Sequence, residues 1–408
     1  MSENESYSLD NGAVPEIRRD LEIIPVQHGG EELLYFHDSM GYMQSNFALD
    51  ASVEPLLNLI NGELAIEQMV KLLQNQLTYE ELHTFLTLLD DSLALNSKQF
   101  KLSKSEIESQ FEESGQRKPT MAGLSYSDDP LEFEKDIKSI LSSSNLHPVT
   151  KAKALYAPHI DMRVGASVYA EAFSLLKNLS PKKVVILATA HYAGFHADIY
   201  DGKPFIGSLK KFNIPGRVFI SDKEAQNFLQ LHGKQNGFTL NDRAHRIEHS
   251  IEMHLLFLSQ IWQHEFQIVP ILVSGFDDLF YVPDGDLAGK IHSFTSRLKE
   301  MIDEDTFVLI SGDLSHVGKK FGDRKSAAQL KESVEKIDKL FLNLSARGDS
   351  DGLLSLLSEN YDHTRICGFP PLYTYLKMFP GSKGEMINYH WWDEKERESA
   401  VSFGSVLF

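Results

Sequence analysis

Three histidines in this chain sit just beyond short apolar runs. Ala154-Leu155-Tyr156-Ala157 leads to His159, Val184-Val185-Ile186-Leu187-Ala188 to His191, and Phe307-Val308-Leu309-Ile310 to His316. Neutral imidazole is a common ligand for transition metals. The only cysteine, Cys367, offers a fourth donor. As a thiolate it would make a soft site that selects Fe(II), Cu(I) or Zn(II) over Mg(II) or Ca(II). Each residue also has an inert reading: a loop histidine bonded to backbone, or a small buried thiol. Local context leaves both open.

Elements must bring these groups together. The apolar runs read as buried strands, and they alternate with helical patterns such as Ala166 to Leu176 and Ile251 to Trp262. That alternation predicts an α/β domain with a largely parallel or mixed central sheet flanked by helices. In open α/β sheets, ligands bind beyond the carboxyl ends of the strands. Imidazoles delivered to that edge can meet although they are distant in sequence. Pro158 fixes the backbone just before His159. Val269-Pro270-Ile271-Leu272-Val273 is a further strand, and its proline predicts a strand start or a sheet edge.

Two more motifs carry charge. Glu248-His249-Ser250-Ile251-Glu252-Met253-His254 reads as the opening of a helix, with Glu248, His249 and Glu252 close together at helical spacing. This is either a substrate-binding or acid/base cluster, or a solvated helix start. HExxH is absent, so the zincin pattern fails. His245 should precede the helix and not pair with His249. In Ser311-Gly312-Asp313-Leu314-Ser315-His316, Gly312 permits a tight turn. Asp313 and His316 then converge, as ligand, as an acid/base pair, or as an inert hydrogen-bonded turn.

Composition bounds the rest. A length of 408 residues suggests two or three domains, and 42% apolar residues can fill a core. The formal net charge of -18 argues against nucleic acid and anionic membranes as partners. One cysteine excludes an intrachain disulfide and fits a reducing compartment. The acidic start, Met1-Ser2-Glu3-Asn4-Glu5, lacks a signal-peptide pattern, and no run is long enough to span a bilayer. A cytoplasmic protein is expected. No internal repeat is visible.

Residues 1–96 read as a small α+β module. Leu21-Glu22-Ile23-Ile24-Pro25-Val26 and Glu32-Leu33-Leu34-Tyr35-Phe36 flank Gly29-Gly30, a hairpin signal. Three helical patterns follow, the last opened by a Thr78/Glu81 capping box. A winged-helix-like unit fits this order. DNA binding is disfavoured, since Lys71 is nearly alone in the helices. Residues 97–118, rich in Lys, Ser, Glu and Gln, read as a linker, in part helical, and 119–408 as the large domain.

Taken together, Ala157-Pro158-His159, Leu187-Ala188-Thr189-Ala190-His191, Glu248 to His254, Ser311 to His316 and Ile366-Cys367-Gly368 resemble, in order, the motifs of the Memo family, also called AmmeMemoRadiSam system protein B. Met121-Ala122-Gly123 with Tyr126, and Ser399 to Phe408, resemble its entry and its closing strand. The resemblance implies the fold of class III extradiol dioxygenases, which are non-heme iron enzymes. It implies metal ligands at His159, His191 and Cys367, with His249, Asp313 and His316 as candidate catalytic residues. The implied cofactor is Fe(II) first, with copper or Zn(II) after it. The chemistry implied is redox or dioxygenase-like, though the thiolate in place of a carboxylate disfavours ring cleavage because it is itself oxidisable. Two motifs depart from the family: His159-Ile160-Asp161-Met162 replaces His-Ala-Gly-Tyr, and Ala188-Thr189-Ala190-His191-Tyr192 replaces Gly-Pro-Ser-His-His. The N-terminal module resembles the PqqD-like winged helix found beside radical-SAM systems. It suggests the rival function, a non-catalytic adaptor for a peptide or partner protein. A zinc hydrolase is a third reading.

Overall fold

Four apolar segments pair in parallel at the centre of the molecule. They are Ala154–Ala157, Thr306–Ser311, Lys183–Thr189 and Gln267–Val273, adjacent in that order. The computed structural model describes residues 12–44 and 46–408. The chain separates into two units, Met1–Glu113 and Ser114–Phe408.

In the larger unit these strands lie within a 12-stranded mixed sheet. Ser399–Leu407 runs antiparallel beside Ala154–Ala157 through its last residues and beside His316–Gly318 through its first, while Glu385–Glu394 pairs antiparallel along its other edge. Side chains of the central strands alternate between two cores. Leu155, Ala157, Val184, Ile186 and Ala188 face helices Pro130–Ser142, Met162–Ser174 and Glu252–Ile261. Ala154, Tyr156, Val185 and Leu187 face Asp286–Lys299, Ala327–Arg347 and Phe369–Met378. A strand covered on both faces must be apolar at every position, which is why these runs do not alternate with polar residues. Each fully buried Leu, Ile or Val contributes about 1.5–3 kcal/mol of transfer energy. Leu309→Ala, at a site with 0% exposure, would cost about 2–5 kcal/mol through the cavity it leaves.

Pro270 corrects one expectation. It sits mid-strand, opposite Ile186 on one side. On the other side, pairing with Arg217–Ser221 stops at Ile268 and pairing with Phe205–Gly207 begins at Ile271. The proline falls in that gap, so its missing N–H breaks no ladder, and its carbonyl accepts from Gln226 Nε2 at 2.9 Å.

The smaller unit holds a three-stranded antiparallel sheet, with Leu21–His28, Glu31–Asp38 and Ala48–Asp50 in sequence order. Gly29 and Gly30 turn the hairpin with φ of 63° and 88°, values that favour glycine. Thr78 and Glu81 form the expected capping box at the start of Tyr79–Asp91. Leu34, Phe36, Ile66, Met69, Leu82, Leu86 and Leu89 fill its core. Most of the segment read as a linker is the helix Lys98–Glu113, which groups with this unit. Among the described residues, no helix is long and apolar enough to cross a membrane.

Candidate metal centre

Register sets the site. Ser311 lies opposite both Ala157 and Ala188, and Thr189 opposite Val273, so these strands end at one level. His159, His191 and the Gly312–His316 segment therefore emerge side by side. Cys367 reaches the same place by a main-chain contact. A Cβ on Gly312 would stand 2.1 Å from Gly368 Cα, and one on Gly368 would stand 2.2 Å from Tyr156 Oη. Only paired glycines allow this approach. Gly312 thus serves close packing and not the tight turn expected, since its φ lies outside the left-handed region. Gly368 N–H donates to Asp313 O at 2.9 Å, and Asp313 N–H to Cys367 Sγ at 3.3 Å.

The hydrogen bonds assign the ring tautomers. His159 Nδ1 lies 3.0 Å from Ser311 Oγ, whose own proton goes to Ser250 O at 2.7 Å. Ser311 therefore accepts from Nδ1–H, and His159 Nε2 keeps its lone pair. That Nε2 is 3.6 Å from Cys367 Sγ and 3.7 Å from Asp313 Oδ2. Burial and the neighbouring imidazoles hold His159 well below the ordinary histidine range, so the ring is neutral. His191 donates its backbone N–H to Glu248 Oε2 at 2.7 Å and its Nδ1–H to Oε1 at 2.9 Å. Burial opposes charge on this ring, but Glu248 and Cys367 outweigh it and raise His191 well above its usual value. Burial alone would raise the Glu248 carboxyl, but His191 draws it down to about 2. An ion at His191 Nε2 would displace a proton from this charged ring. Burial raises the Cys367 thiol, while His191 pulls the other way.

The remaining residues fall into place around these. The His249 ring stacks on His191, centroids 5.1 Å apart, and stands edge-on to His159 at 5.4 Å. Burial and the His191 charge lower it to about 4. Burial pushes Asp313 up to about 7, although it accepts the His159 N–H at 3.0 Å. Two donor clusters share His159: His159, His191 and His249, and His159, Asp313 and Cys367, each with ligand atoms within 4.8 Å of one another. Donors on one ion at bond lengths of about 2.0–2.3 Å stand roughly 3.5 Å apart, so small side-chain shifts suffice. A set of imidazole nitrogens, a thiol and a carboxylate fits a borderline or soft ion. His316 joins neither cluster; its Nδ1–H is shared between Leu314 O and Arg365 O, both at 3.1 Å. Burial lowers it to about 4.

The Glu248–His254 motif is not the helix start that its spacing suggests. The helix begins at Glu252. Glu248 and His249 precede it, because the Glu248 carboxylate turns to His191 and to Ser250 N–H at 3.1 Å. Glu252 faces elsewhere, held by Arg117, Tyr126 Oη and the N–H groups of Thr120 and Met121. His245 precedes the helix as expected, and its Nε2 meets Ile206 O at 2.9 Å. Ser311 and Ser250, which fix the His159 tautomer, have no signal in the sequence. Glu248 stands beside His249 in the chain, but nothing local ties it to His191.

The family model described as Memo-like protein matches residues 117–407. A MEMO1 family protein of Aquifex aeolicus is 26% identical over 339 residues, covering 81% of this chain and 82% of its own. One of Sulfolobus acidocaldarius is 27% identical over 276 residues, covering 64% and 86%. One of Methanobrevibacter smithii is 26% identical over 316 residues, covering 72% and 99%.

Proposed function

Because the chain belongs to the Memo-like family, we propose that it holds a redox-active ion, iron before copper, at His159, His191 and Cys367, and performs redox or dioxygenase-like chemistry on a small substrate. One observation carries this reading: Nδ1 of His159 and of His191 is each bonded to an acceptor, which aims both Nε2 atoms into the pocket with Cys367 Sγ. Such outer hydrogen bonds orient ligating histidines in metal proteins generally. Fe(II) or Cu(I) in that donor set would supply electrons to oxygen or substrate. Glu248 orients His191 and balances its charge. Asp313 Oδ2, with a carboxyl near 7, can hold or release a proton beside the thiol. His316 Nε2 keeps a lone pair and can accept one.

The test is anaerobic purification, metal analysis by mass spectrometry, and oxygen uptake on adding Fe(II). Stoichiometric iron or copper is expected, with uptake that depends on it. Full metal retention by a His159→Ala, His191→Ala double variant would sink the reading.

A further inference from the structure

The donor pocket opens toward one side. A void of about 220 Å³ has His191 and Cys367 in its wall. A second void of about 800 Å³ lies next to it, and Ala190, Gly275 and Asp277 line both. The two adjoin along these residues, and their size suits a small organic ligand.

The wall chemistry is uneven. Phe276, Phe280, Ile366 and Phe369 make the inner part apolar, and the rings of Phe280 and Phe369 stack at 5.8 Å. Its charged groups are Asp277, Asp362, Arg365 and the His191 ring, which is paired with Glu248 outside the void. Arg365 is committed to Asp323, 2.8 Å away. Asp362 accepts Ile366 N–H at 2.9 Å and the Thr364 hydroxyl at 3.3 Å, and among the described residues it has no basic partner. Burial, with Asp277 adding its charge, pushes the Asp362 carboxyl up to about 7. In the outer void, Asp201, Asp277, Asp278 and Asp286 face Lys203 and Lys290, and Lys290 is paired with Asp286 at 2.6 Å. Four carboxylates thus face two lysines in the outer void, and in the inner one both cations are committed to carboxylates outside it, Arg365 to Asp323 and His191 to Glu248.

The wall nearest Cys367 is also strained. Asp362 and Arg365 in this wall have φ of 45° and 59°, and Tyr361 just before them has 52°. Non-glycine residues in that region cost about 1–3 kcal/mol each and gather at ligand clamps. Exposed Tyr281, on the outer rim, stacks with Tyr361 at 5.0 Å.

We propose that the adjoining voids are the entry and binding site for a small organic amine, its apolar body among Phe276, Phe280 and Phe369 and its ammonium between Asp277 and Asp362, facing Cys367 and His191. Any reaction of the bound amine rests on the reading of those last two residues as ion donors; its binding does not. An anion of the same size meets uncompensated carboxylates in a partly desolvated cavity and is rejected.

Calorimetry on the full chain, metal-loaded and metal-free, tests this with benzylamine, benzyl alcohol and benzoate. Benzylamine is expected to bind about tenfold more tightly than benzyl alcohol, with benzoate silent. Asp277→Asn with Asp362→Asn should erase the amine's advantage and leave benzyl alcohol unchanged. Gly275→Leu, at a residue that lines both voids, should block benzylamine and benzyl alcohol while metal content stays at the wild-type level. Thermal melts confirm that both variants fold. Benzoate binding as well as benzylamine, or amine binding indifferent to both variants, overturns the proposal. Amine binding by a protein that takes up no metal would remove the ion reading and leave this one standing.

Discussion

Glu248 and Glu252 are both buried carboxylates, four positions apart, and they belong to different worlds. Glu252 sits in a closed cluster with Arg117, Tyr126, Thr120 and Met121. Its partner is a guanidinium that never loses its proton. Glu248 pairs with His191, whose proton an ion can replace. The first arrangement only holds the chain. The second holds the chain and leaves one end of its partner free for exchange.

The largest effect tests the closed cluster. Arg117→Ala leaves Glu252 buried without a counter-charge and should cost about 3–5 kcal/mol in denaturant unfolding. Metal bound per folded molecule should not change. Loss of metal at unchanged stability would mean that the cluster serves the site after all. Next comes Glu248→Gln, which keeps the shape and removes the charge. Metal affinity should fall about 10–100-fold, read by competition with a chelator, and affinity equal to wild type would break the contrast. Third is acid sensitivity from His254. Burial lowers this ring to about 3, and neither nitrogen has a partner among the described residues. A histidine depressed on folding stabilises above its unfolded value and loses that contribution as pH falls. Between about pH 6.5 and 4, His254→Leu should flatten the decline in stability by up to about 1 kcal/mol per pH unit. A parallel decline in both proteins would show that the ring stays uncharged for another reason. The smallest effect is Ser311→Ala. Without the acceptor for His159 Nδ1–H, metal affinity should drop about fivefold. Iron or copper bound as tightly as before would mean that the tautomer is fixed elsewhere.

Much of this frame can be read in the residues. The central strands are legible because burial on both faces demands unbroken apolar runs, and Gly29-Gly30 and Thr78/Glu81 announce their turn and cap through local chemistry. Failures occur where a distant group decides. Glu248 looks like a first-turn acid until His191 claims it, so the helix starts later than its pattern suggests. Pro270 looks like an edge residue because the gap between two neighbouring strands leaves no trace in a linear pattern. Ser250 and Ser311 are small polar residues with nothing to mark them. Family resemblance ties Cys367 to the histidines; its spacing alone does not.

The meeting of Gly312 with Gly368 has a consequence of its own. Two remote stretches of main chain touch where neither bears a side chain, so the location of the sulfur is dictated by backbone thickness. Residues around the cavity can then be exchanged during evolution without moving the thiol, while a single methyl group at either glycine would prise it away from its imidazole neighbours.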